Sequence, residues 1–553
     1  MERKFEPPGP GTWSLDTTHS SSAMTAYTGE CFSGLQRGFQ ECCERYGLLL
    51  GHLQPAFIHG FFFMQQVGVL GKPGSGPPPK IVMRIMSRLH PAIRKRAKIA
   101  HAAFTSRLWL KDLQDWDVMK LDSIARNTRL QSVELSKLDA AGLSKHLQAC
   151  FENAEEMVYR HHKYSVGAIV PIGWFLDAAT RTSGLTPLQV APLLKGSTQV
   201  STGIGTDELN RLATAINNAG ISKRELDTQS PEAALTLLRG NAAISSALDA
   251  YLAICGSMLI GGYCISEKTL RESPNIILAR IGDAMAPATA DVVDASLEKL
   301  IREQIPAADR AEFDRSLADA RLVNRLRDER GIYNDIWSAG ISRTVILEAG
   351  RHLVKAGKLS NAELLLDATH LEMIGLLAGE DPVDEATLKD RQEWRLHKNI
   401  DEVPEVLGPP PSNPPPLDWL PVKIQPTMRA FAIIMGAVFD PPKDAVSEKI
   451  TGLAVSPGVY EGTARVILST RDFNRLKQGD VLITKNTSAG FNVVLPIIGA
   501  LVTDRGGILS HAAIVSREYG IPGVVATKTA TQLIKDGARV RVDGNKGEVS
   551  ILS

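Results

Sequence analysis

The run Thr503-Asp504-Arg505-Gly506-Gly507-Ile508-Leu509-Ser510-His511 sets one imidazole behind a double glycine and a hydroxyl residue, and Gly520 and Pro522 follow shortly after. A neutral imidazole is a competent nucleophile near neutral pH, because its ordinary pKa is about 6.5. Ser510 suits a helix N-cap, which makes His511 the first residue of a short helix that Gly520 and Pro522 end. Free backbone N–H groups and the helix dipole favour an anion at that end, so the chemistry this pattern suits is phosphoryl transfer through a phosphohistidine. Ser510 and Ala512 would frame the phosphoryl group, and Gly506 and Gly507 would let the chain approach it without side chains. Thr487 and Ser488 either contact the same group or make a local turn.

A chain of 553 residues with 44% apolar content is long enough for several cores. Lys and Arg number 62 against 61 Asp and Glu, so the net charge of +1 favours no polyanion and no nucleic-acid partner is expected. The six cysteines contain no Cys-x-x-Cys pair, which points to free thiols, a cytoplasmic location and no metal site on this chain. Charges and prolines open the chain without a signal-peptide pattern. The apolar stretches 56–70 and 250–264 are broken by polar residues or glycines and fall short of the about 20 residues of a spanning helix. They read as buried core helices, with no membrane partner.

Residues 30–379 show helical spacing of apolar positions, interrupted by a proline-glycine loop at 71–79. A second proline run, 408–416, favours polyproline II and reads as a spacer; 425–438 suits one more helix. Beyond about residue 449, short β-rich runs alternate with glycine turns around the helix of His511. The expected fold class is multidomain: a large, mostly α-helical N-terminal body (1–405), a proline-rich linker and hinge (406–449), and a small C-terminal α/β domain (450–553).

The C-terminal region resembles the swivelling phosphohistidine domain of phosphoenolpyruvate-utilising and dikinase enzymes. The likeness runs through Ser456-Pro457-Gly458, Gly462, Gly479-Asp480-Val481-Leu482, the histidine block, and Val542-Asp543-Gly544 with Gly547. It implies a covalent phosphohistidine at His511, with ATP and Mg²⁺ as the phosphoryl source. Phosphoenolpyruvate synthase and pyruvate phosphate dikinase carry a barrel after this domain and a threonine two residues before the histidine. Here only residues 512–553 follow, and Leu509 takes the threonine's place. No G-x-x-x-x-G-K-[ST] loop occurs and the first part reads as helical, so the expected nucleotide site lies on a separate ATP-grasp subunit, with most Mg²⁺ ligands.

Residues 5–19, with Arg327-Asp328-Glu329-Arg330-Gly331-Ile332-Tyr333 and Leu347-Glu348-Ala349-Gly350-Arg351, resemble the substrate domain of rifampin phosphotransferase and the related phenylphosphate synthase subunit. Ser20-Ser21-Ser22 stands where that family often has Arg-Pro after the early histidine. The resemblance implies the carrier subunit of a split aryl phosphate synthase, passing phosphate to phenol or 4-methylphenol. Alternatives are a rifampin phosphotransferase-like antibiotic-modifying subunit and a noncatalytic phosphocarrier or regulatory subunit. Phosphoryl transfer needs positioned cations and a base. Arg327 and Arg330 are the candidate clamp, and the alternative for each is a solvated helix face. His19 is a candidate base with Asp16 beside it, or the two form a packing and capping motif. Phe61, Phe62 and Met64 are candidates for lining an aromatic pocket, or are plain core.

Overall fold

The computed structural model describes residues 3–17, 22–70, 80–195, 205–285, 295–411, 415–439, 450–468, 470–487, 491 and 494–552. His19 and Ser488 lie outside them. The chain is multidomain, with a large helical body and a C-terminal α/β region. Its contacts form two compact units: residues 1–178, 263–266 and 314–434 in one, and residues 179–262, 267–313 and 435–553 in the other. The helices of 179–313 thus group with the C-terminal region, a division that cuts across residues 1–405.

The first unit is built on long helices and one small sheet. Helix Leu108–Gln131 buries Trp109 and Trp116 on one face, and their indole N–H groups donate to Asp319 and Glu329, each at 2.8 Å. Those bonds tie it to helix Arg310–Arg330. Asp139 caps helix Ala140–Lys163 by accepting from the Gly142 N–H at 2.8 Å. The sheet has the order β2-β3-β1-β4, where β1 is Trp13–Leu15, β2 Leu50–Ile58, β3 Phe61–Gly68 and β4 Val406–Leu407, all antiparallel.

Two expectations are corrected here. Residues 56–70 are not a core helix but the two arms of a hairpin, turned at His59 and Gly60, both with positive φ. The cause is the run Phe61-Phe62-Phe63, whose alternate rings fill both faces of a strand, a pattern a helix cannot exploit. The linker is also shorter than 406–449. Val406 and Leu407 pair with β1, Leu420 and Ile424 pack on Ala97 and Ala100, and Ala430 joins the core of Trp109 and Trp116. Pro409, Pro410 and Pro411 are exposed, but residues 415–434 belong to the first unit. Residues 412–414 and 440–449 lie outside the described residues.

In the second unit an eight-stranded sheet has the order β5-β12-β11-β7-β8-β9-β10-β6. The strands are β5 Ile450–Thr451, β6 Leu453–Ser456, β7 Val459–Val466, β8 Asp480–Thr484, β9 Ile498–Thr503, β10 Gly523–Val525, β11 Arg539–Asp543 and β12 Glu548–Ile551. The central run β7-β8-β9-β10 is parallel. Strand β8 is buried along its whole length, as a strand covered on both faces must be. Val481, Ile483, Ala500, Val502 and Val524 form its core. Helix Pro274–Ala284 packs on the turns Thr470–Arg475 and Leu495–Ile497 of this region. No helix among the described residues is long and apolar enough to cross a membrane.

Candidate functional site

Parallel strands deliver their loops to one edge, and the carboxyl ends of β8, β9 and β10 converge there. Thr487 follows β8. The double glycine and His511 follow β9. The expected local geometry is present: Ser510 is the N-cap, its Oγ accepts from the Ala513 N–H at 3.4 Å, and helix His511–Glu518 begins at the imidazole. Gly506 has φ +117°, open to glycine, and a Cβ there would stand 2.8 Å from Ser510 Oγ. Gly507 accepts from the Ser510 N–H at 3.0 Å, closing the turn. Asp504 braces the same loop by accepting from the Thr531 N–H at 3.0 Å and the Thr527 hydroxyl at 3.3 Å.

His511 is half-buried, and Thr487 Oγ1 lies 2.8 Å from its Nδ1. Thr487 therefore lies against the imidazole of His511 itself. In the tautomer whose Nδ1–H donates to Thr487, Nε2 carries the lone pair that a nucleophile needs. Ala512 is the second residue of the helix and is buried. Arg517 is spent on structure, donating to the carbonyls of Val455 at 3.2 Å and Ile508 at 2.9 Å. A phosphoryl group on Nε2 would meet the free N–H end of the helix.

The other predicted residues collect in the first unit. Helix Arg310–Arg330 runs into a π-helical turn, Gly331–Ile336, before helix Trp337–Lys355. Such wide turns are common at functional sites. Helix Leu108–Gln131 holds the turn in place: Asn127 donates to the Tyr333 carbonyl at 2.9 Å, and Gln131 accepts from the Trp337 indole at 2.8 Å. Arg330 Nη1 donates to the His161 carbonyl at 3.0 Å and to Ser165 Oγ at 2.7 Å. Among the described residues Arg330 Nε and both amide atoms of the fully buried Asn334 have no hydrogen-bond partner. Unpaired polar atoms this deep are costly unless something polar meets them. Burial, and then the charge of Arg327, push the Arg330 guanidinium down to about 10, and burial lowers Arg327 too; both remain cations at neutral pH.

Tyr263 is the hub of this cluster. Its phenol is raised, first by burial and then by Asp335, while Arg330 opposes the rise. Asp16 also acts on it, is itself buried, and donates its N–H to the Phe62 carbonyl at 2.8 Å. Phe62 and Met64 pack with Tyr263, Phe32 and Phe57. Phe61 does not join them: strand alternation turns it to the opposite face, with Trp13 and Phe63. Phe32 and Phe57 reach a groove of about 740 Å³ whose other walls include Glu30, His59, Trp394 and Arg395. Arg327, Arg330, Asp16, Phe62 and Met64 therefore share one neighbourhood.

Sequence reading missed His161, Asp335, Tyr263, Asn334 and Ser165. The available signal was the helical spacing of 327, 331 and 335, which puts Asp335 on the face of Arg327. The paired His161-His162 at the end of a helix was a weaker one.

Residues 476–547, which include Thr487 and His511, match the model of the PEP-utilising enzyme, mobile domain. The uncharacterized phosphotransferase YvkC of Bacillus subtilis is 30% identical over 260 residues, covering 46% of this chain and 30% of that protein. A rifampicin phosphotransferase of Bacillus cereus is 29% identical over 330 residues, 58% of this chain and 36% of the relative. A probable phosphoenolpyruvate synthase of Archaeoglobus fulgidus is 46% identical over 100 residues, 18% of this chain and 13% of the relative. The matches thus span about a third or less of these curated relatives. Together they show that the region carrying His511 is similar to the mobile domain of PEP-utilising enzymes, and that the chain is similar over about half its length to proteins named phosphotransferases.

Proposed function

We propose that this chain carries a phosphoryl group on His511 Nε2 and passes it to the hydroxyl of a small aromatic acceptor of the phenol or 4-methylphenol type, giving an aryl phosphate. The observation that carries the reading is the His511 ring, at a helix N-terminus with Thr487 2.8 Å from Nδ1. The acceptor site would be the cluster around Tyr263, where Arg327 and Arg330 face the phosphoryl oxygens and Phe62 and Met64 meet the ring. Under this reading ATP with Mg²⁺ supplies the phosphoryl group at a separate ATP-grasp chain. Among the described residues no group of three or more His, Cys, Asp and Glu stands ready to hold a metal ion, and no step here is routed through one.

The attack is a displacement at phosphorus. The new O–P bond forms as the P–N bond breaks, and its electron pair returns to Nε2, leaving neutral His511 with its proton on Nδ1. Catalysis here is positioning and charge neutralisation, which is what paired guanidinium groups supply. A second reading, transfer to a rifamycin hydroxyl, is favoured by the rifampicin phosphotransferase relative, which is similar over 58% of this chain.

The test charges His511 with phosphoramidate, which phosphorylates histidine directly and replaces the partner chain. Acid-labile phosphate is expected on the wild type and not on His511→Ala. Discharge by 4-methylphenol supports the first reading, and discharge by rifampicin alone supports the second. Label that persists against both refutes small-molecule transfer and leaves a carrier or regulatory subunit.

A further inference from the structure

The acceptor proton needs a destination, and the cluster around Tyr263 contains a group built to receive it. His161 sits in the last turn of helix Ala140–Lys163, and its Nδ1 contacts Asp335 Oδ2 on the π-helical turn. Both are largely enclosed, with side-chain exposures of 13% and 9%. A carboxylate on Nδ1 fixes the proton there and leaves Nε2 as the basic nitrogen, the logic by which enzymes orient a histidine base. The carbonyl of the same residue accepts from Arg330 Nη1 at 3.0 Å, so base and clamp are fixed to each other.

Gly331 of the π-helical turn lies against His161 and Tyr263. A Cβ built there would stand 3.5 Å from Tyr263 Oη and 3.6 Å from His161 Cε1, ordinary contact distances, so the phenol and the imidazole meet at the same backbone position of the turn. The neighbouring His162 is not an equivalent candidate. Its ring stacks on His161 at 4.5 Å, its Nδ1 is held by the Val158 carbonyl at 2.8 Å, and burial drives it well below the usual imidazole range.

We infer that His161, oriented by Asp335, is the general base that takes the acceptor's hydroxyl proton onto Nε2. The inference rests on the acceptor reading above. The balance is complete: the hydroxyl loses its proton to His161, its oxygen takes the phosphoryl group, and His511 recovers the P–N electron pair. A phenol with a pKa of about 10 is almost wholly protonated at neutral pH, so this proton matters.

The test follows a single turnover of chemically phosphorylated full-length chain at mildly alkaline pH with two acceptors, 4-methylphenol, still protonated there, and 4-nitrophenol, already ionised there. For His161→Gln the expected result is a loss of roughly 100-fold or more with 4-methylphenol and little change with 4-nitrophenol. Asp335→Asn should show the same selectivity, and added imidazole should partly restore His161→Ala. Equal loss with both acceptors, or no loss, would overturn the base while leaving the acceptor reading intact. Failure of the wild type to discharge to any phenol would overturn that reading, and this inference with it.

Discussion

Replacing Thr487 by valine removes one hydroxyl at nearly constant shape and tests which imidazole nitrogen does the work. Thr487 is 6% exposed and its Oγ1 lies 2.8 Å from His511 Nδ1, so water is poorly placed to substitute. Nε2 attacks only from the tautomer whose proton sits on Nδ1, and a Thr487 hydroxyl that accepts from Nδ1–H favours that tautomer. A net hydrogen bond of about 0.5–1.5 kcal/mol corresponds to roughly a twofold to tenfold shift in the tautomer ratio. Thr487→Val should therefore slow phosphoramidate phosphorylation of Nε2 by that factor and let some Nδ1-phosphohistidine form. Thr487→Ser should restore both rate and position. Phosphorus NMR distinguishes the two isomers directly. A wild type phosphorylated on Nδ1, or a Thr487→Val chain unchanged in rate and in product, would refute the orienting role.

Other expectations follow from packing and charge. A Cβ on Gly173 would run into the Ala430 carbonyl oxygen, so Gly173→Ala should cost about 1–3 kcal/mol in urea unfolding, whereas a spacer-like 415–434 predicts almost none. Arg330→Met should slow discharge of phosphorylated His511 roughly 100-fold, and Arg330→Lys should recover only part, because it cannot reproduce the bonds to His161 and Ser165; an unaffected rate would remove Arg330 from the clamp. Burial lowers His162, His146, His370 and His52, all in the first unit. Below about pH 6.5 the unfolded chain binds protons that these folded rings refuse, so stability should fall with pH. The urea midpoint should drop between about pH 7 and pH 5, and His162→Gln should flatten the slope; a steeper slope in that variant would contradict the buried neutral ring.

The histidine segment was readable because its determinants are local. A cap, a double glycine and a terminating Gly520 act within a few residues of one another, and Ser510, Gly506 and Gly520 stand where those rules put them. The parallel strands were likewise marked by β-branched runs. The hairpin 50–68 was missed because an unbroken aromatic run carries no period, and only the turn at His59-Gly60 separates its arms. The grouping of 179–313 with the C-terminal region depends on contacts distant in sequence, such as helix Pro274–Ala284 on Leu495–Ile497, which spacing does not encode. Tyr263 was invisible for the same reason: three distant segments bring it to Phe62, Asp335 and Arg330.

The two ends of the proposed transfer hold phosphate by different means, and the difference bears on direction. At His511 the proposed donors are main-chain N–H groups of one short helix; Arg517 beside it is committed to the carbonyls of Val455 and Ile508, and Arg505 of the preceding loop has a buried Nη1. A helix terminus contributes about 0.3–1 kcal/mol toward an anion, enough to retain a phosphoryl group without trapping it. Around Tyr263 the donors are guanidinium groups in partly buried surroundings, where charge-assisted bonds are about twice as strong as neutral ones. Under the proposed transfer, charge spread over the phosphoryl oxygens would be met on the acceptor side by this paired positive charge. A carrier must let go and an acceptor site must pull, and in the proposed transfer the pair Arg327 and Arg330 beside Tyr263 is the group that would pull.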